Sequence, residues 1–185
     1  MQSLRTSRLH LHAPSIQQAR FIYALLNSPT WLRYIGDRGV RSTLDAQRYI
    51  RRRLLGEYQQ GELGLYQVDR RDGIPIGLCG LIQRKFLPHP DLGFALLPAY
   101  EGQGYAHESA VAVLAHAFED LDLPQVLAIT IEDNPRSQVL LQRLGFERQP
   151  GILREPGHHP MVVFRLLRHE FAQLTAQNRC QGSKS

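Results

Sequence analysis

Residues 91–110 read DLGFALLPAYEGQGYAHESA. The apolar run DLGFALLP (91–98) reads as a strand closed by Pro98, which has no N–H for a ladder. After Gly104 the period becomes helical: Ala106, Ala110, Val113, Ala117 and Leu121 share one face, and Pro124 stops the pattern. Between strand and helix, Gly102 and Gly104 leave the backbone bare. Two readings stand. Gly-x-Gly is a tight turn, or it lets several N–H groups converge where a helix has unpaired amides and a positive dipole end. The second makes a site for a phosphate or pyrophosphate. A dinucleotide-binding fingerprint would need a third glycine and a strand opening the fold nearby, and a P-loop would need Gly-Lys-Ser/Thr; neither is present.

On the N-terminal side, RLHLHA (8–13) alternates as a strand, and Ser15 with Gln18 forms a capping-box pattern opening a helix over about 16–27. NSPTW (27–31) breaks it. Ser42 and Asp45 start a second helix running to about Gln60, with Ala46, Tyr49, Ile50 and Leu54 inward. LGLYQVD and IPIGLCGLIQR flank RRDG, a hairpin turn of the Asp-Gly kind. On the C-terminal side, QVLAITIE (125–132) is a buried strand. Asn134 caps a helix with Pro135 in its first turn, and Gly145 marks its exit. GFERQPG and HPMVVFRLL close as strands. The order implies one α/β domain over 1–169, with a mixed, mostly antiparallel sheet of about seven strands flanked by helices, and a polar tail over 170–185 beyond a short helix.

The 185 residues suit one domain, and 43% hydrophobic content can fill its core. No apolar stretch is long enough to span a membrane, and the N-terminus lacks the apolar block of a secretory signal, so a cytoplasmic setting is expected. Cys79 and Cys180 make neither a disulfide framework nor a zinc spacing. Net charge is +5, carried almost wholly by arginine. The densest run, YIRRRLL (49–55), points its arginines in three directions without interleaved aromatics, so it reads as a solvated face rather than a nucleic-acid surface. His10 and His12 share a strand face but have no third ligand, and no metal site is expected.

Three segments together resemble the GNAT superfamily of acyl-CoA-dependent N-acetyltransferases: the strand LGFALLPAY, the loop Glu101-Gly102-Gln103-Gly104-Tyr105-Ala106, and DNPRSQVLLQRLGF, similar to the family's Asn-x-x-Ser…Leu-Gly-Phe. The opening TSRLHLHAPS resembles the ribosomal-protein N-terminal acetyltransferase, or Rim-like, branch. The resemblance covers about residues 4–168. It implies an acetyl-CoA-dependent N-acetyltransferase acting on a primary amine, either a protein N-terminus or a small molecule, as a monomer or homodimer. Phe94, Ala95 and Leu96 would then offer main-chain groups to the pantetheine arm. The amides of Gly102, Gln103, Gly104, Tyr105, Ala106 and His107 would hold the pyrophosphate, and Asn134, besides capping its helix, the pantetheine region.

Glu101 departs from the family's Arg or Gln, and its carboxylate is expected to face solvent. Many relatives carry a tyrosine acid seven residues after the Asn; Leu141 stands there, and the resemblance shifts that sulfur-directed role to Ser137. Asp91 and Glu155 are the candidate general bases, with His107, His158 and His159 behind them. The first two helices, with Trp31, Tyr34 and Tyr49, would line the acceptor side. Two other functions remain open: a GNAT-fold protein that binds CoA or another ligand with little or no turnover, and an RNA- or ribosome-binding module using the arginines.

Overall fold

The turn at Asp72-Gly73 joins β3 (Gly64–Arg70) to β4 (Pro75–Ile82) as an antiparallel hairpin, with Gly73 N–H donating to Arg70 C=O at 2.9 Å. A computed structural model describes residues 2–58, 63–154 and 159–182 of the chain. These residues divide into two compact units, Met1–Gln83 with Leu92–Val113, and Arg84–Asp91 with Leu114–Ser185.

In the first unit, β1 (Leu4–Arg5), β2 (Leu9–His12), β3, β4 and β5 (Asp91–Leu96) follow one another. Leu9 and Leu11 of β2 are buried, as the alternating run requires. The helices over this unit are α1 (Ala19–Leu26), α2 (Pro29–Tyr34), α3 (Thr43–Tyr49) and α4 (Leu55–Tyr58). Their apolar faces meet in one core of Ile22, Leu25, Leu26, Trp31, Ala46, Ile50 and Leu54 against Leu78 of β4. Each large side chain so buried contributes about 1.5–3 kcal/mol before ordering entropy is counted. A fifth helix, α5 (Tyr105–Ala115), begins in this unit and continues as a wider π turn, His116–Asp120, in the other.

In the second unit, β6 (Gln125–Ile131) pairs antiparallel with β8 (Met161–Leu167), and β8 with the short β7 (Glu147–Arg148). Asp91, the opening residue of β5, pairs in parallel with Leu127. The sheet is therefore mixed, with eight strands rather than about seven; the extra one is the two-residue β1. Helix α6 (Pro135–Arg143) and the terminal helix α7 (Arg168–Gly182) complete the unit, where Phe118 and Phe171 pack with ring centroids 5.2 Å apart.

Local differences from the sequence reading have local causes. Ser15 caps through the Gln17 amide at 3.3 Å, without Gln18, because the helix opens as a tight 3₁₀ turn over Ile16–Gln18. NSPTW breaks α1 but also starts α2: Ser28 caps it and Pro29 opens its first turn. The second helix contains a π turn over Ile50–Leu54, which keeps Ile50 and Leu54 buried and Arg51, Arg52 and Arg53 exposed. The tail forms a helix longer than the short one expected.

Gly77 sets the approach of β5 to β4. A Cβ there would lie 2.3 Å from the Ala95 carbonyl oxygen and 2.4 Å from Leu96 Cδ2. Gly77→Ala is therefore expected to destabilise the fold by about 1–3 kcal/mol through overpacking, read by urea unfolding. Unchanged stability would show that β5 yields freely.

Candidate functional site

β5 carries Phe94 and Ala95 half-buried and Leu96 buried, and Leu97 N–H donates to Ile76 C=O at 2.8 Å. Pro98 then forces a 3₁₀ turn over Pro98–Tyr100. The chain passes through left-handed backbone at Gly102 (φ +73°) and Gly104 (φ +81°), which glycine adopts at no steric cost. The first helical bond of α5 runs from Glu108 N–H to Gly104 C=O at 3.0 Å. Among the described residues, the amides of Gly102, Gln103, Gly104, Tyr105, Ala106 and His107 have no protein acceptor. Gln103 ties its own side chain to Ala99 C=O at 2.8 Å, and His107 is exposed.

This loop fits an anionic ligand. Its donors are unpaired, Gly102 and Gly104 are exposed, and a Cβ at Gly102 would meet nothing within 4 Å.

Arg8 and Glu108 complete the loop's surroundings and were not legible as site residues. Arg8 Nε donates to Glu108 Oε2 at 2.6 Å, and the Arg8 amide to Oε1 at 2.9 Å. Thr6 and Ser7 hydroxyls donate to the same Oε1. Partial burial raises the Glu108 carboxyl, but the donors from Thr6, Arg8 and Ser7 outweigh it and hold the group below the ordinary glutamate range. The one signal in the sequence was the hydroxyl-rich TSR before the first strand, which had no partner until the fold brought Glu108 across a separation of 100 residues.

The second unit carries the other candidates. Asn134 caps α6, its Oδ1 accepting from Ser137 N–H at 3.2 Å. Ser137 is half-buried and its hydroxyl makes no hydrogen bond among the described residues. Leu141, at the position of the missing tyrosine, is buried. Asp91 is buried, and both its carboxylate oxygens accept from Arg84 Nε, at 2.9 and 3.1 Å. Burial pushes its carboxyl up to about 6 against the opposing pull of Arg84. Glu155 and His158 lie outside the described residues, and His159 is exposed.

Of the aromatics expected on the acceptor side, Trp31 belongs to the core, its indole N–H donating to Gly36 C=O at 3.1 Å. Tyr49 packs against that core, and Tyr34 lies under the Arg33 guanidinium. His12 is committed to Asp69 at 2.8 Å. Among the described residues no three His, Cys, Asp or Glu side chains group to hold a metal, and no helix is long and apolar enough to cross a membrane.

The family model of the acetyltransferase (GNAT) domain matches residues 8–147, and the chain belongs to that family of acetyl-CoA-dependent acyltransferases. It is 28% identical over 156 residues to YoaA, an uncharacterised N-acetyltransferase of Bacillus subtilis, covering 82% of this chain and 86% of that one. An acetyltransferase from Agrobacterium tumefaciens superposes with a TM-score of 0.76 at 26% identity, covering 90% and 94% of the two chains. RimL, a ribosomal-protein α-N-acetyltransferase solved with coenzyme A, shares the fold with a TM-score of 0.77 at 16% identity, covering 90% and 98%. That likeness to RimL is one of fold.

Because the folded state disfavours ionised Asp91, the stability it contributes is complete below the unfolded carboxylate range near pH 4. It is lost as pH rises through about 6. A shift of two units corresponds to roughly 2–3 kcal/mol. The stability of Asp91→Asn relative to the native protein should therefore rise by about that amount between pH 4 and pH 7, measured by urea unfolding at matched pH. A difference independent of pH would place Asp91 in the ordinary carboxylate range.

Proposed function

We propose that this protein transfers an acetyl group from acetyl-CoA to a primary amine. The observation that carries the reading is the row of unpaired amides from Gly102 to His107 at the start of α5, directly after the strand that resembles the family's cofactor strand. Acetyl-CoA supplies the acetyl group already activated as a thioester. The residues that would hold it are Phe94, Ala95 and Leu96 through main-chain groups, the amides of Gly102, Gln103, Gly104, Tyr105, Ala106 and His107 at the pyrophosphate, and Asn134 and Ser137 at the pantetheine end. Recognition through backbone groups depends little on side chains, so Glu101 does not disqualify the loop.

The chain's own residues have two chemical tasks. An ammonium group is not a nucleophile, so a base must take its proton, directly or through water. Asp91 and Glu155 are the proposed bases. A carboxyl poised near 6 has the basicity for the task, although Arg84 already occupies both Asp91 oxygens. The second task is to receive the departing thiolate. Ser137 has a hydroxyl uncommitted among the described residues and is the proposed donor. The acceptor class to test first is a peptide N-terminus, because RimL is a ribosomal-protein α-N-acetyltransferase; small amines form the second panel.

The test is calorimetric titration with acetyl-CoA, followed by transfer assays across both panels. Micromolar binding with transfer supports the reading; binding without transfer to any amine leaves a CoA-binding protein instead. Gly104→Val is expected to weaken acetyl-CoA binding at least about tenfold while the protein still unfolds cooperatively. A branched residue is strained at φ +81°, and its Cβ would press on Arg8 Nη2 at 3.3 Å, so the loop must turn its amides elsewhere. Ser137→Ala should lower turnover about ten- to a hundredfold with cofactor affinity nearly unchanged; equal loss in both would make Ser137 a binding residue alone.

A further inference from the structure

Arg8 lies on the segment entering β2 yet is fastened to the loop before α5. Its Nη1 donates to the Gln103 carbonyl at 3.1 Å, and its guanidinium lies 4.6 Å from the Tyr105 ring centroid. Its Nη2 sits 3.3 Å from where a Cβ on Gly104 would stand. Glu108, on the first turns of α5, fixes the guanidinium through Nε and is itself fixed by Thr6, Ser7 and the Arg8 amide.

A trans peptide points its C=O and its N–H in opposite directions. The Gln103 C=O faces Arg8, so the Gly104 N–H faces away from Arg8, on the other side of the loop. Glycine at 104 would let this peptide flip at little steric cost. The guanidinium removes that freedom from one side, and the Gln103 side chain pins the residue again through Ala99 C=O.

We propose that Arg8 is a positioning residue for the phosphate end of the cofactor: it locks the Gln103–Gly104 peptide so that the Gly104 amide is presented to the anion. The proposal rests on the acetyl-CoA reading above and adds a residue from outside the loop. Arg8 acts through Gln103 and Gly104, and Glu108 holds Arg8 in place. Lysine cannot replace it, because one ammonium on a flexible stem does not span Glu108 and the Gln103 carbonyl as the planar fork does.

The experiment compares the native protein with Arg8→Gln, Arg8→Lys and Glu108→Gln. Dissociation constants are measured for acetyl-CoA and for S-acetylpantetheine, which has the thioester arm but no phosphate. Both Arg8 variants should weaken acetyl-CoA about tenfold, Glu108→Gln should weaken it in the same direction, and S-acetylpantetheine should change less than about twofold. Equal weakening of both ligands would make Arg8 a general structural brace and overturn the proposal. Full retention by Arg8→Lys would overturn it too, since charge alone would then suffice. If Arg8→Gln does not fold, Arg8→Lys and Glu108→Gln decide by the same ratio. Failure of the native protein to bind acetyl-CoA overturns the acetyl-CoA reading as well, whereas native binding with unchanged variants overturns this proposal alone.

Discussion

A helix cannot pair its own first amides, and the geometry around residues 98–108 follows from that deficit. β5 must end before α5 can begin, and Pro98 ends it. The chain must then reverse within a few residues, which left-handed backbone at Gly102 and Gly104 accomplishes. What remains is a row of donors with no protein acceptor, at the positive end of the helix dipole. A loop built from two glycines would ordinarily be soft. Here the Gln103 side chain and the Arg8 guanidinium hold it from two directions, so less ordering entropy is lost when a ligand arrives.

Two carboxylates show how environment rather than residue type sets charge. Glu108 is partly exposed and receives donors from Thr6, Ser7 and Arg8, so its carboxyl is held below the ordinary glutamate range. Asp91 is buried and paired with Arg84, and desolvation wins by raising it. The first is suited to hold the Arg8 guanidinium in place. The second can change charge near neutrality, as a general base must, yet its oxygens already serve Arg84. Basicity and access therefore pull in opposite directions at Asp91.

What could be read from the sequence was local. The Asp-Gly hairpin, the Ser42 cap, the Asn134-Pro135 helix start and the Gly-x-Gly loop each depend on a few consecutive residues, and each is formed. The buried face of Ala46, Ile50 and Leu54 followed from period alone. The π turns at 50–54 and 116–120 did not, because one inserted residue in a helix leaves the apolar pattern almost unchanged. Arg8 with Glu108 was invisible for another reason: two ordinary charged residues far apart in sequence acquire meaning only when β2 and α5 are packed together. Trp31 illustrates the converse. An aromatic beside a candidate acceptor region proved to be core, its one polar atom already satisfied.

The charges near the loop bear on how an anion can be held there. Glu101 is an acid, and Arg8 is matched by Glu108 at 2.6 Å, so neither of these residues brings net positive charge to the loop. Attraction for a phosphate must then come from the amides and the helix dipole, which are short-ranged and directional. Such a site depends on the orientation of each peptide more than on the number of cations around it. On the acetyl-CoA reading, an acid at position 101 is then compatible with the loop, although the family resemblance leads one to expect Arg or Gln there. The same logic makes a residue that fixes one peptide, as Arg8 does for Gln103–Gly104, matter more than its own neutralised charge suggests.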